Sequence, residues 1–363
     1  MKRIVFIHIV VFLHIVFSFS LNSQVNPVIR QRTPGETTAS NQSRTTVPQS
    51  EPEQIQPSVE SRLSAEREEP ETPRRTIEVS NELLNAWKES LEYGVSLQRI
   101  KIINAIYEYN DKRIFELLIN IIKNDASYKV RVEAIRTVQK LRYFAAAPSI
   151  LEQLSVDDIE LKEVSFYALG KLKYIQAGSK IAEFIDSDNI TIKIAAITSC
   201  GLMRYTGSLS KLHSLVENVE TQDRVREEAI IALGKIGSQT SVDILIKIFE
   251  NNTYSRFIRM YCVTAMGLIG GPKVISYLKK AYNSDEYFLK LRAVEALGRI
   301  NHPDVFDLLK TSLKDDKEQI RIQALHSVIS QTEASRYIPQ IKYMIKNETN
   351  EKVKREAVNT LAK

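Results

Sequence analysis

RVREEAIIALGKI, residues 224–236, reads as one amphipathic helix. Counted from its small residue Ala229, the apolar side chains Val225, Ile230, Leu233 and Ile236 fall at −4, +1, +4 and +7. That spacing puts them on one stripe of a 3.6-residue helix. Ala229 lies inside the stripe, where a small side chain lets a neighbouring helix come close. The same block recurs on both sides. Upstream stand YKVRVEAIRTVQKL (128–141), ELKEVSFYALGKL (160–172) and TIKIAAITSCGLM (191–203). Downstream stand FIRMYCVTAMGLI (257–269), FLKLRAVEALGRI (288–300), QIRIQALHSVISQ (319–331) and KVKREAVNTLAK (352–363). Their small anchors are Ala134, Ser165, Ala196, Ala229, Cys262, Ala293, Ala324 and Ala357, spaced by 31, 31, 33, 33, 31, 31 and 33 residues. So regular a period is the signature of a repeat array. A weaker copy, RIKIINAIYEY (99–109), opens it.

Between these blocks run second amphipathic stretches such as SVDILIKIF, PKVISYLKKAY and PDVFDLLKTSL. Four of them begin at or near Pro148, Pro272, Pro303 and Pro339. Proline suits the first helical turn, where its missing N–H has no partner to lose. The unit is therefore helix, turn, helix, short loop, with no competing strand pattern. Gly170, Gly201, Gly234, Gly267 and Gly298 all stand at +5. Each costs a helix about 1 kcal/mol relative to alanine, so the series predicts close helix–helix packing. Residues 80–98, with Trp87, are expected to form a capping helix, and Lys354, Arg355 and Lys363 to make the last copy polar at its end. Cys200 and Cys262 fall on the stripe two repeats apart. Two helix layers exceed the reach of a disulfide, so both are expected to be buried thiols.

These blocks resemble the HEAT-repeat family, specifically the short HEAT-like units first described in phycobilisome lyases. The resemblance covers about 99–363 and includes Ala168-Leu169-Gly170-Lys171-Leu172, Ala232-Leu233-Gly234-Lys235-Ile236, Ala265-Met266-Gly267-Leu268-Ile269 and Ala296-Leu297-Gly298-Arg299-Ile300. It implies an all-α, right-handed α-solenoid of about eight to nine helix–turn–helix repeats over 80–363, with the second helices on the concave side. It also implies pairing of a loop Asp with a following Arg or Lys, within or between repeats. It is specific to fold and unspecific to function.

The array has a different kind of chain in front of it. Met1-Lys2-Arg3 is a short basic start, followed by an apolar run from Ile4 to Leu21 broken only by His8 and His14. Residues 1–23 read as a secretory signal peptide, cut after Ser20 or Ser23, or as an uncleaved N-terminal anchor. Residues 24–79 hold seven of the eleven prolines, are rich in Ser, Thr, Gln and Glu, and show no apolar periodicity. They read as a disordered linker. Export to the periplasm or cell envelope is the expected localisation.

The net charge of +6 is carried entirely by 80–363, because 1–79 hold nine basic and nine acidic residues. Its most regular expression is at anchor −3, where Arg131, Lys162, Lys193, Arg226, Arg259, Lys290, Arg321 and Lys354 form a ladder of eight cations. One reading makes them a binding row for an acidic polypeptide or an anionic polymer. The other makes them structural, paired with loop acids such as Asp125, Asp157, Asp186 and Asp315.

Catalytic motifs are not found. The sequence has no His-Glu dipeptide, which helical di-iron hydroxylases of this architecture need, and no H-E-x-x-H, G-x-S-x-G or Walker loop. No cofactor, metal or small-molecule substrate is expected. The expected function is a non-catalytic scaffold of the cell envelope that binds a protein partner, acidic in character, through its concave face. The alternative is an anionic polymer or nucleic acid on the ladder, with nucleic acid disfavoured by the export signal. An enzyme of lyase-like, unassigned chemistry ranks third.

Overall fold

The computed structural model describes residues 79–109 and 111–362. The expected signal or anchor, 1–23, and the expected linker up to residue 78 lie outside the described residues. Val79, the last residue assigned to that linker, is buried beneath the first repeat.

Among the described residues there are eighteen α-helices and no strand. They form nine antiparallel pairs. The first helices of the pairs are α1 (Asn81–Tyr93), α3 (Lys112–Asn124), α5 (Ala147–Glu152), α7 (Gly178–Glu183), α9 (Leu209–Glu217), α11 (Val242–Glu250), α13 (Pro272–Tyr282), α15 (Pro303–Ser312) and α17 (Ile338–Asn347). The second helices are α2 (Ser96–Ile106), α4 (Tyr128–Lys140), α6 (Ile159–Lys171), α8 (Ile190–Leu202), α10 (Asp223–Ile236), α12 (Arg256–Ile269), α14 (Tyr287–Leu297), α16 (Glu318–Ile329) and α18 (Glu351–Ala362). The short helices α5 and α7 are extended at both ends by 3₁₀ turns.

The structure departs from the sequence reading at the two ends of the array. Residues 80–98 are not one capping helix. The chain breaks at Gly94, which adopts an extended backbone, and residues 96–98 already belong to α2. The first pair is thus an ordinary repeat, with Trp87 buried edge-on against Tyr109 at 5.2 Å. At the other end, Val358 and Leu361 are 48% and 38% exposed. Both occupy stripe positions that are fully buried in every preceding copy, from Ile135 to Leu325 at +1. A following repeat covers them there; in α18 the last face of the array is apolar as well as charged.

The core is the stripe read from the sequence, and it is packed from the second helices outward. From α6 to α14 each second helix seats directly on the next, glycine against a small residue. A Cβ built on Gly201 would lie 2.9 Å from the Cα of Ala232, and one on Gly234 2.8 Å from that of Ala265. The receiving position, anchor +3, is Thr137, Ala168, Ser199, Ala232, Ala265, Ala296, Ser327 or Thr360, buried in all eight copies. Where it is serine, the hydroxyl donates to a carbonyl of the preceding helix: Ser199 to Phe166 at 2.7 Å, Ser327 to Val294 at 3.0 Å. The first helices touch their sequential neighbours far less. A stack that is tighter on one side curves toward it, so the second helices form the inner, concave layer. Cys200 and Cys262 are both free and buried, and burial pushes the Cys200 thiol up to about 11.

The first repeat carries an acid-sensitive clasp. Asp111 caps α3 by accepting from the Arg113 N–H at 2.9 Å, takes the Arg113 guanidinium at 2.5 Å, and accepts from the Val79 N–H at 3.4 Å. The hydrogen bond from the Arg113 side chain is the main reason its carboxyl is held down at about 2. An unfolded aspartate titrates near ~4. A carboxyl with a depressed folded pKa stabilises above its unfolded value and loses that contribution as pH falls through the folded one. Emission from Trp87, the sole tryptophan, should therefore change between about pH 4 and pH 2 before the helical signal does. Asp111→Asn should abolish the early step. Coincident transitions in both proteins would refute it.

Candidate functional site

The ladder predicted at anchor −3 is real as a row but divided in use. It lies in the first turn of the second helices, beside the loop that joins each pair. Arg321 spans two loops. Its guanidinium donates to the Asp315 carbonyl of its own loop at 2.7 Å and, in two parallel bonds of 2.9 and 3.0 Å, to Glu348 of the next. Burial alone would raise the Glu348 carboxyl; the Asn350 N–H and Arg321 outweigh it and hold it below its ordinary value. Arg259 reaches Glu286 of the next loop at 2.6 Å. Lys290 pairs with Asp315, which raises its pKa. Arg131 donates to the Asp125 carbonyl at 2.5 Å and to Gln153 of the next repeat at 3.2 Å. Arg226, only 3% exposed, donates to the carbonyls of Asn218 and Val219 at 2.7 and 3.2 Å and lies over the Tyr254 ring of the next repeat.

Those five ladder residues thus hold loops in place, as the structural reading requires. Lys162 makes a looser pair with Asp157 at 3.5 Å. Lys193 and Lys354 are half-buried and have no ion-pair partner among the described residues. The ladder reading missed Arg99, which grips Asp125 of the next loop at 2.9 Å. The signal was available: a loop acid follows its cation by 26 residues here and by 27 at Arg259 and Arg321.

The open surface lies one helical face away. In α6 and α8, positions −5, −2, −1 and +2 point out of the concave layer. With residues of α4 and the start of α10 they shape a groove of about 600 Å³. Val164, Ile194 and Ala195 make its apolar floor, and Tyr167, 39% exposed, stands over it. Its rim carries both signs: Arg136 bridges to Glu160 at 3.2 Å across α4 and α6, and Glu163 and Arg224 add one of each. Thr198 donates to Glu228 at 2.7 Å, closing the next inter-helix gap. Further along, Phe257 and Phe288 are 49% and 48% exposed at −5 of α12 and α14, with the Arg256 guanidinium 5.0 and 5.8 Å from their ring centres. Tyr167 belongs to this face. Tyr261 is buried, and the Tyr205 ring is seated between Gly178 and Gly207. The aromatic–arginine cluster went unread because attention to the buried stripe hides the complementary one, although the same 3.6 period marks it.

Among the described residues no group of three or more His, Cys, Asp and Glu side chains could hold a metal ion. A family model of HEAT repeats matches residues 178–259 and 286–362. No curated protein matches the sequence. Among solved structures, the chain is similar to the complex of CpcE and CpcF of phycocyanin lyase from Nostoc sp. PCC7120, with 16% identity, a TM-score of 0.44, and 68% of this chain and 93% of that chain covered. It is also similar to the karyopherin Kap121p bound to the extreme C-terminus of the protein phosphatase Cdc14p (13%, 0.40, 78% and 38%). A third likeness is to human deoxyhypusine hydroxylase in complex with glycerol (13%, 0.31, 75% and 98%).

Proposed function

Taking as premise that the chain is a solenoid of HEAT repeats, we propose that it is a non-catalytic scaffold that grips a protein partner along the concave face of its second helices. The observation that carries this reading is the open face of the second helices, in two stretches: a groove with an apolar floor at Val164, Ile194 and Ala195 and a rim of both charges, and an exposed Phe–Arg–Phe cluster at 256–288. Aromatic residues and arginine around an apolar centre are the composition of protein-binding hot spots. A rim of mixed sign suits a polypeptide better than a uniformly anionic polymer, which would need a free cationic row. Five ladder cations are already committed to loops, so the ladder ranks second as a binding surface, with Lys162, Lys193 and Lys354 its available members. The basic start and apolar run of residues 1–21 support export to the cell envelope as the setting.

Photo-crosslinking in cells tests this. A crosslinker in place of Tyr167 or Phe288 should capture one and the same partner, and Ile194→Glu should reduce that capture by about tenfold or more. A crosslinker at Tyr343, exposed on the outer helix α17, should capture none. Capture from Tyr343, or capture at Tyr167 undiminished by Ile194→Glu, would overturn the assignment.

A further inference from the structure

Three consecutive corners of the array, where α4, α6 and α8 end and the next first helix begins, are the ones among the described residues that turn on a non-glycine residue of positive φ. Each turns on a residue with left-handed backbone: Arg142 (φ 51°), Lys173 (φ 52°) and Arg204 (φ 55°). The turn is the same each time, with the following tyrosine N–H donating back to the helix: Tyr143 to Val138, Tyr174 to Leu169 and Tyr205 to Cys200. Left-handed backbone favours glycine, and glycine stands at the equivalent places in the next two corners, Gly237 (φ 77°) and Gly270 (φ 70°). In these three corners a long cation occupies the strained position instead, and all three cations are exposed.

The corners are also free of acid. Residues 139–149, 170–180 and 201–211 contain no Asp or Glu, while Lys140 and Lys171 add to the cations. The first turns of α5, α7 and α9, which start at this edge, carry no acid either; those of α11 and α15 carry Asp243 and Asp304. Among the described residues Lys173 and Arg204 have no ion-pair partner. Two positions beyond the strained cation, Phe144 is 62% and Ile175 49% exposed. The third corner has Thr206 at that place, and the two glycine-turned corners have Gln239 and Pro272.

From these observations we infer that this edge docks on an anionic lipid surface. Exposed cations favour a layer of negative headgroups. The apolar tips at Phe144 and Ile175 favour the acyl boundary just beneath it. Both groups sit on the outside of turns rather than in a groove, so they suit a broad surface rather than an acidic peptide. A nucleic acid would reward the cations and could stack on Phe144, but it offers nothing to the aliphatic Ile175. Lys140 also lines the groove, but Arg142, Lys173, Arg204, Phe144 and Ile175, on which the test turns, do not.

The test uses the full chain and a reporter at the edge itself, because the apolar run at 4–21 could carry any variant to vesicles. A Trp87→Phe, Phe144→Trp protein should show a blue shift, and quenching by brominated acyl chains, on vesicles of phosphatidylglycerol and phosphatidylcholine. Neither should occur on phosphatidylcholine alone. Adding Arg142→Gly, Lys173→Gly and Arg204→Gly should weaken the edge contact by about tenfold or more. The same triple change should raise the melting temperature, because it relieves the left-handed backbone. This variant cannot fail merely by failing to fold. Equal quenching on neutral vesicles, quenching that survives the three glycines, or a response to an oligonucleotide and not to anionic vesicles would each overturn the inference.

Discussion

Gly267→Val should cost the array about 3 kcal/mol or more, the upper range for overpacking a tight core. A Cβ on Gly267 would lie 2.5 Å from the Ala296 Cβ and 2.7 Å from its Cα. Neither atom belongs to a flexible side chain, so relief requires α12 and α14 to separate. Contacts in such arrays run only between neighbours, so separation there should also split unfolding in urea into two steps. Gly270→Ala is the control. Gly270 has positive φ but nothing within 4 Å of its would-be Cβ, so only backbone strain of about 1–3 kcal/mol is introduced, in one step. If the two variants unfold alike, the glycine seam is not what couples the repeats.

Arg226→Ala is the second large effect, expected at about 1–3 kcal/mol. The guanidinium is buried and donates to the Asn218 and Val219 carbonyls and, at 3.4 Å, to that of Val216. Its pair with Asp223 at 2.7 Å faces solvent, since that aspartate is 64% exposed, and adds little. The loss comes from the hydrogen bonds by which the buried guanidinium holds the 216–219 backbone, and from its place over the Tyr254 ring. Arg226→Lys should recover only part of it, because an ammonium cannot fork across the turn. Lys162→Ala, on the same ladder, should stay within about 0.5 kcal/mol. Comparable losses at Arg226 and Lys162 in chemical denaturation would mean the ladder is uniform after all.

This contrast shows where the sequence was informative. The 31–33 residue period and the stripe around Ala229 sufficed for the helix pairs, the buried anchors and the close seam, because burial leaves a periodic trace in residue type. A cation at −3 leaves the same letter whether it grips a carbonyl, an acid 27 residues away or nothing. Its role depends on loop backbone, which has no periodicity to read. The left-handed corners were hidden for a related reason: Arg142, Lys173 and Arg204 look like ordinary surface charges until Gly237 and Gly270 are set at the same offset. The open face was half legible. Val164, Ile194 and Tyr167 share the 3.6 period of the helices, but Phe257 and Phe288 become a cluster only when Arg256 is placed between them.

The seam of glycines against small side chains also has a mechanical consequence. With backbones already touching, the inner layer can neither shorten nor shear without breaking contacts, so it acts as an inextensible spine. Any change in curvature must be absorbed by the outer helices spreading or closing like ribs. The thinnest ribs, α5 and α7, are six residues each and lie behind the groove floored by Val164 and Ile194. Compliance is therefore concentrated where a ligand would press hardest, and the array can widen its grip there while its length along the spine stays fixed.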